Sequence, residues 1–213
     1  AAPTTAGPTV TPGSPSAAPT TITPEPTIAC VPEVVLEDED FEGSGSLVAS
    51  EWASGSTTDA VGFTEFLGRL GTGSEEMSKT ITIPRSSGPD PMEADSVTVE
   101  FALYQIDDWT PDDKFFVEIN GVVIDLGEMD STSTSVTITG LESGISWERQ
   151  TPQQGTDLGF GSAQDKKHLV RLVIPSSLFP DEILSLGFRV LTTEAIEAQS
   201  AGVDDLVITA YFA

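Results

Sequence analysis

The run Val97 to Ile106, VTVEFALYQI, constrains this chain most. Val97, Val99, Phe101 and Leu103 recur at every second position, and residues two apart in a strand share a face. That period predicts a long β-strand with one buried face. The same pattern recurs in shorter pieces, each cut by Gly or Pro. Val34–Glu42 predicts a first strand with Phe41 inward, and Phe63–Arg69 a second, bounded by glycines at 62, 68 and 71. Lys79–Pro84 alternates and stops at its proline, ahead of the turn cluster Ser86–Pro91. Phe115–Ile119 and Val122–Leu126 flank Asn120-Gly121, a hairpin signal because a type I′ turn needs positive φ at both central residues. Val136–Thr139, Ile145–Arg149, Lys167–Ile174, Leu184–Leu191 and Val203–Phe212 complete the set. Ala195–Ala201 is the one stretch that reads as a turn of helix. Ten to twelve strands with Gly and Pro turns predict an all-β fold, a two-sheet antiparallel jelly-roll sandwich with its first and last strands adjacent.

The first residues cannot join that sandwich as a central strand. Of residues 1–29, seven are Pro, eight Thr and two Ser, and Glu25 is the only charge. Proline fixes φ and removes a backbone donor, so the stretch is read as an extended polyproline arm over residues 1–32, with a β-sandwich domain over 33–213. All 9 Lys and Arg and 33 of the 34 acids fall after residue 29, which leaves that part with a net charge of −24. Such acidity argues against nucleic acid and anionic membrane as partners, since phosphate binding needs a basic footprint. It leaves cations, basic partners and neutral glycans, or simply a solvated surface in salty water. No apolar run approaches the ~18 residues of a membrane span, so no membrane insertion is expected.

A Pro/Thr-rich start without Met predicts a processed, extracellular or cell-surface chain. Cys30 is the only cysteine, which leaves a buried or free thiol or an intermolecular link. The only Asn, Asn120, is followed by Gly121-Val122, so no N-linked sequon exists. Glycans would have to be O-linked, on the arm's Ser and Thr, with Thr4, Thr5, Thr9, Thr11, Thr20, Thr21, Thr23 and Thr27 as the named acceptors, or on hydroxylated Pro.

Several segments together carry a resemblance. They are Asp40–Glu42 (DFE), Phe63–Gly71, Ser78–Pro84, Val99–Trp109 followed by Phe115–Gly121, Leu158–Ser162 and Gly202–Ile208 (GVDDLVI). Over about residues 36–210 the chain resembles the jelly-roll, concanavalin- or MAM-like modules of secreted adhesins and surface proteins. The resemblance implies a non-catalytic module with a structural Ca²⁺ near the first and last strands. Its implied ligands are Asp40, Glu42, Asp107, Asp204 and Asp205, where the family's usual Asp-Asn reads Asp204-Asp205. Ca²⁺ takes six to eight hard oxygens, which clustered carboxylates supply. Solvated acid is the plain alternative in a chain with 34 acids.

Catalytic readings fare poorly. Glu37–Glu42 (EDEDFE) is similar to the carboxylate strand of jelly-roll glycan hydrolases, but Asp38 and Glu39 break the interleaving of acids with apolar residues. His168 is the only histidine, and no Gly-x-Ser-x-Gly elbow accompanies it; a surface or half-buried strand residue is the expectation. One His and one Cys do not make a zinc site. Trp52, Trp109, Trp147, Tyr104 and Tyr211 are core or sugar-stacking candidates, and Trp109, set between two Asp and Thr110-Pro111, is the one expected to be exposed.

Function therefore shifts to the arm. Twenty-nine extended residues span roughly 90 Å, against a domain radius of gyration of about 16 Å. A nearly neutral arm avoids the repulsion between acidic domains, and head-to-tail docking does not close on itself. The expectation is a secreted structural subunit linked to copies of itself, with Val10, Ile22, Ile28 and Val31 as apolar anchors. The alternative is a Ca²⁺-assisted glycan-binding or adhesion module on a mucin-like stalk.

Overall fold

A computed structural model describes residues 33–42, 51–54, 56–59, 65–71, 76–87, 90–129, 136–151, 160, 165–196 and 199–212. The chain divides into two units, Ala1–Cys30 and Val31–Ala213, and all of the first lies outside the described residues.

Twelve strands are described, all in the second unit. They are β1 (Glu33–Glu39), β2 (Thr57–Asp59), β3 (Glu65–Leu70), β4 (Met77–Thr82), β5 (Ser96–Asp107), β6 (Lys114–Ile119), β7 (Val122–Asp125), β8 (Val136–Glu142), β9 (Ile145–Thr151), β10 (Lys166–Pro175), β11 (Ile183–Leu191) and β12 (Gln199–Tyr211). An eight-stranded antiparallel sheet runs β2-β3-β12-β5-β10-β9-β8, with β1 also paired to β12. A four-stranded sheet runs β4-β11-β6-β7. The two face each other in a β-sandwich, as the alternation in the sequence predicts.

The long strand β5 is the spine of the larger sheet, paired with β12 on one side and β10 on the other. Its Val97, Val99, Phe101 and Leu103 are all buried in the main core. From the smaller sheet, Ile81, Phe115, Val117, Ile119, Leu184, Leu186 and Phe188 meet them. Phe188 is the hub, 5.1 Å from Phe101 and 5.5 Å from a stacked Trp52 between ring centroids. Trp52 therefore belongs to the core. A second, smaller cluster of Phe66, Tyr104 and Ile106, with Phe160 against it, lies on the opposite face of β5.

Asn120 and Gly121 sit at φ 48° and 82°, the double left-handed conformation that joins β6 to β7. Ser143 and Gly144, at φ 50° and 91°, make the corresponding turn between β8 and β9.

Two local expectations need correcting. The stretch Ala195–Ala201 keeps one turn-like bond, the Gln199 N–H donating to the Ala195 carbonyl at 3.0 Å, but Gln199–Ala201 belongs to β12, drawn into the sheet by pairing with Asp107, Ile106 and Gln105. The first strand ends at Glu39, so Asp40 and Glu42 lie beyond it. Phe41 is buried as expected, but at φ 53° it turns the chain inward instead of continuing the strand.

Candidate functional site

The first and last strands are neighbours, with Glu39 opposite Leu206 and Glu33 opposite Tyr211. This adjacency does not gather the five acids implied as calcium ligands. Asp107 lies opposite Gln199, whereas Asp204 lies opposite Ala102. Five residues of strand separate these levels, about 16 Å at 3.3 Å per residue, so Asp107 cannot share an ion with Asp204 or Asp205. Asp107 instead ends β5 at φ 65°, 4.0 Å from the Arg69 guanidinium, and its N–H donates to Asp165 at 2.8 Å. Asp40 accepts from the Glu42 N–H at 3.0 Å in a two-residue turn, and both are exposed. Among the described residues no group of three or more His, Cys, Asp or Glu is placed to hold a metal.

Asp204 and Asp205 occupy an irregularity in the β12–β5 register and have different environments. Asp204 is buried, accepting from the Asp205 N–H at 2.9 Å and from the Tyr104 hydroxyl at 3.3 Å. Burial pushes its pKa up to about 6, and the Asp205 carboxylate adds to the shift. Asp205, at φ 49°, is exposed and pairs with Lys167 at 2.7 Å.

Trp109 is buried, not exposed, with 2% of its surface accessible. The left-handed turn at Asp107 folds the chain back, and the indole N–H donates to the carbonyls of Ile106 at 3.2 Å and Ser200 at 3.0 Å. It cannot stack a sugar. The residues after it form a structural knot: buried Asp113 accepts from the N–H groups of Thr110 and Thr193, and Gln199 donates to the Asp108 carbonyl.

His168 is fully buried, not superficial. On β10 it has the same parity as Val170, Leu172 and Ile174, so it faces the core. Its Nδ1 lies 3.0 Å from Thr151 Oγ1 and its Nε2 3.1 Å from Gln105 Oε1. Burial, then the charges of Arg149 and Lys166, lower its pKa to about 3. Neutral and with both nitrogens occupied, it is neither a poised base nor a metal ligand. At this end of the inner face, polar residues take over the apolar parity: Gln105 and Asp107 on β5, Lys166 and His168 on β10, Arg149 and Thr151 on β9. Arg149 donates to the carbonyls of Gly127 and Glu128, closing the sandwich there.

The edges of the larger sheet have chemistry of another kind. Among the described residues β1 pairs only with β12 and is an edge strand, with Val34 and Val35 exposed at 40% and 56%. It is tied to the smaller sheet by Lys79, whose Nζ lies 2.9 Å from Glu37, 3.3 Å from Glu39 and 2.9 Å from Glu51. Burial opposes the charge of Lys79, but the three carboxylates outweigh it and its pKa is raised. Sequence reasoning passed over Lys79, although its parity with Ile81 and Ile83 marks a charge on an inward face. At the far edge, β8 pairs only with β9 among the described residues, and Val136 and Leu141 are exposed at 38% and 72%. Gly140 on β8 lies opposite Trp147 on β9, which is partly buried against the main core. A Cβ at Gly140 would come within 2.3 Å of the Trp147 ring, so the missing side chain is what lets the indole lie across β8.

Tyr104 is buried under Lys167, and Tyr211 is half-buried at the end of β12. Cys30, the acceptors Thr4, Thr5, Thr9, Thr11, Thr20, Thr21, Thr23 and Thr27, and the anchors Val10, Ile22, Ile28 and Val31 lie outside the described residues.

The fold defines a class, the two-sheet antiparallel β-sandwich, and the site geometry narrows attention to its edges. No protein-family model, characterised protein or solved structure matches the chain.

Proposed function

We propose that the protein is an extracellular structural subunit, a jelly-roll sandwich linked head to tail to copies of itself through its Pro/Thr-rich arm. One observation carries the reading. The arm's sequence runs directly into β1, an edge strand of the larger sheet that Lys79 ties to the smaller one. An arm joined at an anchored edge can transmit load to the whole domain. Its near-neutral composition lets it approach a neighbour whose domain carries −24. O-glycans on the arm's threonines would coat the connection.

Negative-stain microscopy of the full chain and of a chain lacking residues 1–29 tests this. Filaments or ordered assemblies that vanish with the arm are expected. Monodisperse monomers with the arm intact would overturn the proposal. Peptides covering residues 1–29 of protein from its native source should be heavier than their sequence mass because of glycosylation, and unmodified peptides there would remove that part of the reading.

A further inference from the structure

An arm that links copies needs a place to end. Five edges are available among the described strands, and they differ in length and charge. β1 carries Glu33, Glu37, Asp38 and Glu39 within seven residues. β2 has only three residues and includes Asp59. β4 is bridged on its outer side by Ala53 to Ser78. β7 has four residues and ends in Asp125. β8 has seven, VTITGLE, with one acid at its last position. It lacks the lysines, prolines and short length that ordinarily blunt an edge, and it exposes Val136 and Leu141.

We propose that the β8 edge of one copy receives residues Thr20–Thr23 of the next copy's arm as an added strand; this rests on the reading of the arm as an intermolecular link. Thr20-Thr21-Ile22-Thr23 is the arm's longest proline-free β-branched run, and β8 opens with the similar Val136-Thr137-Ile138-Thr139. Thr20, Ile22 and Pro24 share one face of an extended segment. On that face Ile22 and Pro24 meet the Trp147 indole, exposed toward the edge by Gly140. Thr21 and Thr23 fall on the other face beside Thr137 and Thr139, where Thr–Thr cross-strand pairs are favourable. Both partners are nearly uncharged, so neither side meets the domain's repulsion.

Sheet order supplies the polarity. β1 and β8 stand on opposite sides of β12-β5-β10-β9, about 24 Å apart at ~4.8 Å per gap. Pro24 to Glu33 spans about 28 Å when extended. That leaves almost no length for the arm to round its own sheet face, while a second copy placed beside β1 is within easy reach. Donor and acceptor edges on opposite sides of one sheet make a heterologous contact that repeats without closing.

The test uses full chains in a Cys30→Ser background. A chain with Thr21→Cys is mixed with one carrying Thr137→Cys or Thr139→Cys, and with a control carrying Val123→Cys on the β7 edge. Interchain disulfides at β8 in at least about fivefold excess over β7 are expected, and equal yields would overturn the proposal. So would efficient intramolecular closure of a dilute chain bearing Thr21→Cys and Thr139→Cys together, which would mean docking within one copy. The double variant Val136→Lys, Leu141→Lys should keep its Tm and weaken arm-dependent association about tenfold or more. Assemblies that need the arm but ignore these lysines would remove the β8 edge and leave the arm-linked subunit standing. Absence of any assembly by the full chain would remove both.

Discussion

His168 and Asp204 titrate in opposite directions, and each gives a prediction. His168 has a folded pKa of about 3 against 6.5 for the free side chain. The unfolded chain therefore binds the extra proton between those values, and stability contributed by the neutral ring is lost as pH falls through that window. Wild type should lose stability more steeply than His168→Leu as pH falls below about 6, by about 1 kcal/mol per pH unit. Urea midpoints at pH 6.5, 5.5 and 4.5 measure it, and parallel slopes would refute the buried neutral imidazole. At pH 7 the same variant should be less stable by about 1–3 kcal/mol, because Thr151 and Gln105 lose their partner. Asp204 has its pKa raised from 3.8 to about 6, so the folded state binds the extra proton and stability falls as pH rises through about 6. Asp204→Asn should be more stable than wild type at pH 7.5, with the difference shrinking as pH falls from about 6 to about 4 and absent below that. Thermal melts of both proteins across pH check the sign. Neither residue announces this in sequence. The parity of His168 with Val170 and Leu172 says that it faces inward, but not that Thr151 and Gln105 flank it.

At the scale of elements, β1 depends on one lysine. Lys79→Met would leave Glu37, Glu39 and Glu51 facing one another with no cation between them. A loss of about 1–3 kcal/mol is expected, with faster amide exchange confined to β1 and its partner half of β12. Uniform exchange across the sandwich would show that β1 is not a separately anchored element. At the other edge, Gly140→Ala would push the Trp147 ring off β8, because the new methyl would sit 2.3 Å from Cε2. A shifted tryptophan emission with an unchanged far-UV spectrum is the expected readout. Strand identities were legible at this scale because period-two alternation marks the core-facing residues of β5, β10 and β11, even though β5 is also buried on its other face around Tyr104 and Ile106. The short β2 was not, since its three residues carry no period. The end of β1 was not legible, since Phe41 leaves the strand at φ 53° with its side chain buried, which an alternating acidic run does not foretell.

For the whole molecule, charge and assembly oppose each other. Domains at −24 repel over a screening length of about 30 Å at 0.01 M salt and about 8 Å at 0.15 M. Arm-dependent association should therefore strengthen from low to physiological salt, as read by light scattering against concentration. An association that weakens with salt would point to charge pairing, not neutral strand addition, as the joining force. The two edges of the larger sheet would then need another role.

Sequence by itself determined the all-β class, the place of the long central strand, the Asn120-Gly121 hairpin and the contrast between a neutral arm and an acidic domain. These follow from local rules, namely strand periodicity, turn stereochemistry and composition, which act within a few residues of chain. The tertiary structure alone decided which acids meet, that Trp109 turns inward, that His168 is sealed between Thr151 and Gln105, and that β8 and β1 stand at opposite edges. Those outcomes depend on which strands lie side by side, and pairing between residues such as Glu39 and Leu206 joins parts of the chain that no local pattern connects.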